Sequence, residues 1–456
     1  MYWEPPGKAT FRTTVARILP FNLGQFIDPV MRRISEIKKR NALMETTVAK
    51  FTNVASLIVV DGSGTSSNTQ PVPLLVNAYT VCASNLHTLS LYAMSANFDS
   101  LFPPNPSMFT SLETLNFAFS PRDGSSADIE AVSTFFQAVA STISTLSISF
   151  RNTCDEPTLL LQRFSHPKAF PKLAVFSLSH AELLSSPSPA LVQFLNQHAD
   201  TLKCLSLQHA KPSPFASPDV LDPSLLPVLP HLETLNVQHG RSYRNRQALT
   251  SSEGLDAVWA YLQHTSGTLA TLNLRHCTFT LHDLSILLDL LGQGSAKNRD
   301  KERGALKSLT VIVYVLSPQM LDVLAEKLPQ LESLKVTFWD LRNNDNADAQ
   351  RWIGDLTHRV GMFFIILFYS VQSDIFIFPW YCQDTEPFLL EMKTRWYSRW
   401  SLRYFEIDRV GMTRNTAKVI LIPLIPCIPH LVQIDGPFMK MWKEGDSWKE
   451  CECGDH

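Results

Sequence analysis

Net charge is almost absent from this chain: 40 Lys+Arg against 42 Asp+Glu leave a formal −2 over 456 residues. Such a balance argues against a mainly electrostatic partner, whether bulk DNA, RNA or an anionic membrane surface. Cysteine is scarce as well. Eight thiols in so long a chain are too few for a disulfide scaffold, and the first twenty residues contain no apolar core of a secretory signal. An intracellular, reduced, globular protein of cytoplasm or nucleus is the expectation. Catalytic signatures are missing too. No G-x-x-x-x-G-K-S/T, H-E-x-x-H, G-x-S-x-G or Rossmann G-x-G-x-x-G in a strand–helix setting occurs. The chain therefore reads as non-enzymatic, with no cofactor and no structural metal.

Leucine is abundant and unevenly spread. The first 50 residues hold 3 leucines, residues 201–350 hold 30 and the last 106 hold 8. Within the rich region a six-residue pattern, apolar-x-x-apolar-x-apolar, recurs ten times at intervals of 25 to 37 residues. It begins Val54-x-x-Leu57-x-Val59, Leu86-x-x-Leu89-x-Leu91, Leu112-x-x-Leu115-x-Phe117 and Ile143-x-x-Leu146-x-Ile148. It continues with Leu173/Phe176/Leu178, Leu202/Leu205/Leu207, Leu232/Leu235/Val237 and Leu269/Leu272/Leu274, and ends with Leu306/Leu309/Val311 and Leu331/Leu334/Val336. The last two apolar positions alternate with a polar one, as in a strand with one buried face.

Helical segments lead back into these strands. Phe135, Tyr261 and Phe194 each stand eight residues ahead of the first strand position, and Thr142, Thr201 and Thr268 directly precede it. A strand, loop and helix repeated at short period cannot bury its apolar edge alone, so neighbours stack. The predicted fold class is α/β, a curved solenoid of about ten repeats with a parallel sheet on its inner face.

L-x-x-L-x-L followed by a helix resembles the leucine-rich repeat, over about residues 51–345. The stretch from Leu269 to Cys277, LATLNLRHC, followed by Asp283-LSILLDLL, is similar to the cysteine-containing subtype of F-box proteins. FLNQHADTLKCLSL and FPKLAVFSLSH look like the F-box/leucine-rich-repeat proteins of fungi. That resemblance implies a substrate receptor of an SCF-type ubiquitin ligase, with an SKP1-like adaptor and a cullin as partners. Departures are plain: most intervals exceed the usual spacing, and the Asn/Cys position is Ala181, Ala210 and Gly240 elsewhere.

Residues flanked by the buried leucines are expected on the concave face. They include Ser90, Asn116, Ser147, Ser177, Ser206, Asn236, Asn273 and Thr310, with Thr88, Thr114, Thr145, Thr234, Thr271, Ser308 and Ser333 one step earlier. These hydroxyls and amides form an uncharged surface suited to a protein ligand. The basic stripe and aromatic platforms of a nucleic-acid site are lacking. Asn116, Asn236, Gln238, Asn273 and Arg275 are the candidate contacts. Along their rim, His180, His209, His239 and His276 recur two residues after the last strand leucine. They read either as a metal-binding or pH-sensing row or as a packed ladder inherited by duplication.

Weaker motifs read as structure. Asp61-x-Ser63-x-Thr65 is similar to the metal-ion-dependent adhesion motif of von Willebrand A domains, yet it fits a polar turn after the first strand. Cys451-x-Cys453-x-x-His456 offers three soft ligands and no fourth. The charged stretch from Gln293 to Gly304 reads as a solvated loop, and Lys38-Lys39-Arg40 as a solvated helix edge or a nuclear-import hint.

The flanks differ from the middle. Residues 1–50 read as a helical cap or as a degenerate F-box opening at Leu19-Pro20. Within 346–456, the apolar stretch 360–382 carries Ser370, Gln372, Ser373 and Asp374 near its centre, which argues against a membrane span. Leu402-x-x-Phe405-x-Ile407 restores the repeat pattern 71 residues past Leu331. Removing roughly 35 residues would return a normal interval, so 360–382 reads as part of an insertion. The expected function is protein recognition. A stand-alone repeat scaffold, or a membrane-associated protein using 360–382, is the alternative.

Overall fold

Short strands alternate with helices throughout the described residues, which are 53–61, 73–93, 101–103, 105–119, 126–150, 156–164, 170–180, 189–209, 226–239, 259, 261–263, 265, 267–297, 305–342, 385–409, 414–436 and 439–451 of a computed structural model. The cap or F-box segment 1–50 and the apolar stretch 360–382 lie outside them. The chain divides into two units. The first holds Met1–Leu183 and Ser188–Leu202, the second Leu184–Pro187 and Lys203–His456.

In the first unit the order is β1 (Ser56–Asp61), α1 (Pro73–Cys82), β2 (Thr88–Ala93), β3 (Thr114–Phe119), α2 (Ser126–Val139), β4 (Thr145–Phe150), α3 (Glu156–Phe164), β5 (Val175–His180) and α4 (Pro189–Gln197). Strands β1 to β5 pair in chain order, all parallel. Equivalent positions face one another without offset: Leu57 with Leu89, Leu89 with Leu115, Leu115 with Leu146, and Leu146 with Phe176. From β2 to β5 these residues are fully buried, as are Leu86, Leu112, Ile143 and Leu173 ahead of them. Strand β4 shows the alternation directly, with Leu146, Ile148 and Phe150 inside and the residues between them half-exposed.

An aromatic spine fills the space behind this sheet. Phe102 stacks on Phe135 at 4.7 Å, Phe136 on Phe164 at 5.3 Å, and Phe164 meets Phe170 edge-on at 5.4 Å. Phe194 of α4 closes on Phe176 of β5 at 4.7 Å. Each buried ring contributes about 2–3 kcal/mol of apolar burial. The spine ends on His198, whose ring lies 4.7 Å from Phe194 and 6.2 Å from Phe170. The chain then turns into the next strand through Thr201, whose hydroxyl donates to the His198 carbonyl at 3.3 Å. Thr142 does the same to Val139 at 3.0 Å, and in the second unit Thr268 does so to Thr265 at 3.2 Å. The recurrent threonine thus turns the chain toward the next strand with its hydroxyl and its own N–H both bonded to one carbonyl three residues back.

In the second unit the order is β6 (Cys204–His209), β7 (Thr234–His239), β8 (Thr271–Phe279), α5 (Leu281–Lys297), β9 (Ser308–Leu316), α6 (Pro318–Lys327), β10 (Ser333–Leu341), α7 (Thr385–Met392), β11 (Tyr404–Arg409), α8 (Arg414–Leu421), β12 (Gln433–Gly436), β13 (Met439–Glu444) and β14 (Ser447–Glu450). Strands β6 to β12 are parallel and in order, again without offset at the leucine positions, except for a register shift in β8 between Leu274 and Thr278. Strands β13 and β14 are antiparallel. They turn through Gly445 at φ +61°, a conformation that side chains with a Cβ rarely adopt. The result is an open, largely parallel sheet in an α/β arrangement.

Helix starts follow local chemistry. Thr280 and Asp283 cap α5 reciprocally: the Asp283 N–H donates to Thr280 Oγ1 at 3.2 Å, and the Thr280 N–H to Asp283 Oδ2 at 3.1 Å. Ser317 accepts from the Met320 N–H at 3.2 Å, with Pro318 at the first helical position of α6. Arg395 then clasps α6 to α7. Its Nε donates to both Asp322 oxygens at 3.0 and 2.9 Å, its Nη2 to Glu391 at 2.8 Å, and Tyr397 adds a 2.7 Å bond to Asp322. No helix among the described residues is long and apolar enough to cross a membrane.

Strands β10 and β11 are direct neighbours although 71 residues separate Leu334 from its partner Phe405. The Glu332 carbonyl accepts from the N–H groups of Arg403 and Tyr404 at 2.9 and 3.0 Å. Phe405 and Ile407 are fully buried, and α7 supplies the helix of this repeat. Deleting residues 360–382 should therefore leave the melting temperature within a few degrees of the parent chain. A loss of cooperative unfolding in the melt would show that the stretch belongs to the core.

Burial among Phe170 and Phe194 pushes the His198 pKa down to about 4, and among the described residues its Nε2 has no hydrogen-bond partner. The unfolded chain then binds a proton that the folded one refuses between the ordinary value near 6.5 and about 4. The stability it confers is complete above pH 6.5 and is lost as pH falls toward 4, on the order of 3 kcal/mol in all. His198→Phe should flatten the fall in melting temperature between pH 7 and pH 5. Identical slopes for the two proteins would refute the assignment.

Candidate functional site

Strand alternation gives each sheet one face that is not packed with leucines. In the first unit this face carries Thr88, Ser90, Tyr92, Thr114, Asn116, Ala118, Thr145, Ser147, Ser149, Ser177 and Ser179, and no charged group among the described residues of β2 to β5. Asn116 is tied sideways, its Nδ2 donating to Ser90 Oγ on the neighbouring strand at 3.0 Å.

The second unit repeats that arrangement and then departs from it. Asn236 Nδ2 donates to Ser206 Oγ at 3.0 Å, and Gln238 Nε2 to Asn236 Oδ1 at 2.8 Å, a chain of amides spanning β6 and β7. Across from them on β8, Asn273 faces Asn236 and Arg275 faces Gln238. Four of the five candidate contacts therefore share two adjacent strands, while Asn116 belongs to the first unit.

Charge enters this face with Arg275 on β8 and grows beyond β9, a departure from the expectation of an uncharged surface. Lys335 of β10 pairs with Glu406 of β11. Tyr404 donates to Glu406 Oε2 at 2.8 Å and lies 3.1 Å from Asp435 Oδ2 on β12, while Gln433 Nε2 donates to Asp435 at 3.0 Å. Burial, then the hydrogen bond to Glu406 and the two carboxylate charges, hold the Tyr404 phenol well above its ordinary pKa. Asp408 extends the acidic end. This end was readable: the alternation that selects Asn236 in one repeat selects Tyr404, Glu406 and Asp408 around Phe405 and Ile407 in another.

The histidines fall differently. His180 is buried on the apolar side of the first sheet, continuing the alternation of Phe176 and Leu178, with its ring edge-on to Phe150 at 5.9 Å. His209 and His239 are cross-strand partners of β6 and β7. His276 lies in the shifted stretch of β8. The side chains of His209, His239 and His276 lie outside what is described. Asp61 ends β1 and Cys451 follows β14, whereas Ser63, Thr65, Cys453 and His456 lie outside the described residues. Among the described residues no three His, Cys, Asp or Glu side chains converge to hold a metal ion.

No protein-family model matches this chain, and no curated protein does. Among solved structures, the chain is similar to one described as the crystal structure of the Rad7 and Elc1 complex in yeast. The superposition has a TM-score of 0.31 and 12% sequence identity, and it covers 70% of this chain and 94% of that one.

Proposed function

We propose that the chain is a leucine-rich-repeat recognition protein that binds a protein ligand on the polar faces of its sheets. What supports this reading is the in-register face of the second unit, where columns of hydroxyls, amides and paired charges line up across seven parallel strands. Short polar side chains held by cross-strand bonds lose little conformational freedom when a partner docks, so they suit recognition more than catalysis. Fold alone does not assign a role. The role of substrate receptor in an SCF-type ligase rests on the sequence resemblance, with the adaptor and cullin engaged through residues 1–50.

The test is affinity purification of the tagged full chain, a version lacking residues 1–50, and the variant Asn236→Trp, each followed by mass spectrometry. An adaptor and cullin should accompany the full chain and vanish with the truncation. Ligands should vanish with Asn236→Trp while the adaptor stays. Partners that survive Asn236→Trp would exclude the face as their docking surface, and absence of adaptor and cullin from every preparation would exclude the ligase role.

A further inference from the structure

Within the polar face of the second unit, hydrogen-bonding capacity is spent unevenly. The amides of β6 and β7 satisfy one another through Ser206, Asn236 and Gln238. On β8 that economy fails. Asn273 Oδ1 and Arg275 Nε are both shielded from water, and among the described residues neither has a hydrogen-bond partner. One is an acceptor and the other a charged donor. They stand two residues apart on the same side of one strand, about 7 Å along it. Native proteins pair almost all such groups, so two complementary orphans side by side mark a place where something else completes the bonding.

The backbone leaves this strand incompletely paired beyond Leu274. Asn273 faces Thr310 on β9 and Leu274 faces Val311, but the next β9 residue, Ile312, pairs with Thr278. Residues 275–277 are thus extra on β8 and have no β9 partner. Arg275 keeps a neighbour on β7 only, Gln238, whose amide nitrogen is already engaged. Bulges of this kind re-aim a side chain beside functional sites.

Charge narrows the ligand. Arg275 makes no ion pair among the described residues. On β10 and β11, Asp340 is already paired with Arg342, and Glu406, three strands from β8, with Lys335. Three strand spacings are roughly 14 Å, beyond the screening length of about 8 Å at physiological salt. An anion is attracted at β8 and repelled at β11 and β12, where Glu406, Asp408 and Asp435 gather. The edge of a guanidinium offers two parallel N–H groups that match the two oxygens of a carboxylate.

Resting on the recognition reading above, we propose that Asn273 and Arg275 receive an aspartate or glutamate of an extended protein segment. Both side chains are part-exposed, so rotation turns the covered atoms outward as the segment docks: its carboxylate pairs with the Arg275 guanidinium, and one of its main-chain N–H groups donates to Asn273 Oδ1.

The experiment pans the purified full chain against a phage library of random dodecapeptides and measures recovered peptides by fluorescence anisotropy. Peptides with a recurrent Asp or Glu are expected. Changing that residue to Asn or Gln should weaken binding roughly tenfold to a hundredfold, and Arg275→Gln should cause the same loss without adding to it. Arg275→Lys should recover only part, and Asn273→Leu should weaken every such peptide. Arg275→Glu should select Lys- or Arg-bearing peptides instead, a gain that misfolding cannot produce. Peptides without acidic preference, blocked by Asn236→Trp but indifferent to Arg275, would overturn this proposal and leave face recognition standing. Peptides indifferent to every face substitution, or none recovered, would overturn both.

Discussion

A carbonyl that accepts two N–H bonds at the foot of the parallel strands governs the rest of the molecule. The residue after the first buried apolar position offers one carbonyl to two successive N–H groups at the entry of the following strand. His87 serves Glu113 and Thr114, Glu113 serves Ser144 and Thr145, and Ser144 serves Ala174 and Val175. In the second unit Lys203, Glu233, Ala270, Lys307, Glu332 and Arg403 do the same in turn. A slip by one residue would break both bonds and move every leucine to the wrong face. Register is therefore held at zero offset, and side chains at equivalent positions form columns. Where those residues are charged and adjacent, they also pair, Lys203 with Glu233 at 3.5 Å and Lys307 with Glu332 at 2.7 Å. These pairs are about half exposed, so each contributes at most about 1 kcal/mol.

The two units solve the space behind the sheet by different means. The first stacks phenylalanines, a solution insensitive to salt and sensitive to acid only where a histidine ends the stack. The second packs mostly aliphatic side chains, with Phe279, Phe338, Phe405 and Trp400 among them, and ties its helices with the Arg395, Asp322, Glu391 and Tyr397 cluster. Directional bonds of that sort fix how neighbouring helices seat, which aliphatic packing alone leaves loose.

Much of the sheet could be read from leucine spacing, because burial of one strand face imposes a period that few other constraints imitate. Leu89, Leu115, Leu205, Leu235, Leu272 and Leu334 all mark buried strand positions, and Leu402, Phe405 and Ile407 mark another after the long interval. Less could be read where geometry depends on counting residues between partners. Nothing in Leu274-RHCT signals that three residues of β8 are surplus to β9, since the surplus exists only relative to Val311 and Ile312. The antiparallel hairpin of β13 and β14 escaped notice because Met439-KMWKE has weak alternation and follows no leucine motif. His180 shows the value of parity: two residues past Leu178 is the same side of the strand, hence the core.

The junction of β10 and β11 also bears on how the chain reaches its fold. Every other parallel neighbour in the second unit lies 25 to 37 residues away along the chain, so contacts form between near segments and collapse can spread strand by strand. At this junction the loop to be closed is 71 residues, which costs about 0.9 kcal/mol more in chain entropy than the 25 residues between β9 and β10. That is a small equilibrium penalty. Its weight is kinetic: it is the longest loop closure among the described parallel pairs of the second unit, and until it is made β10 presents an unpaired edge to any other strand in solution.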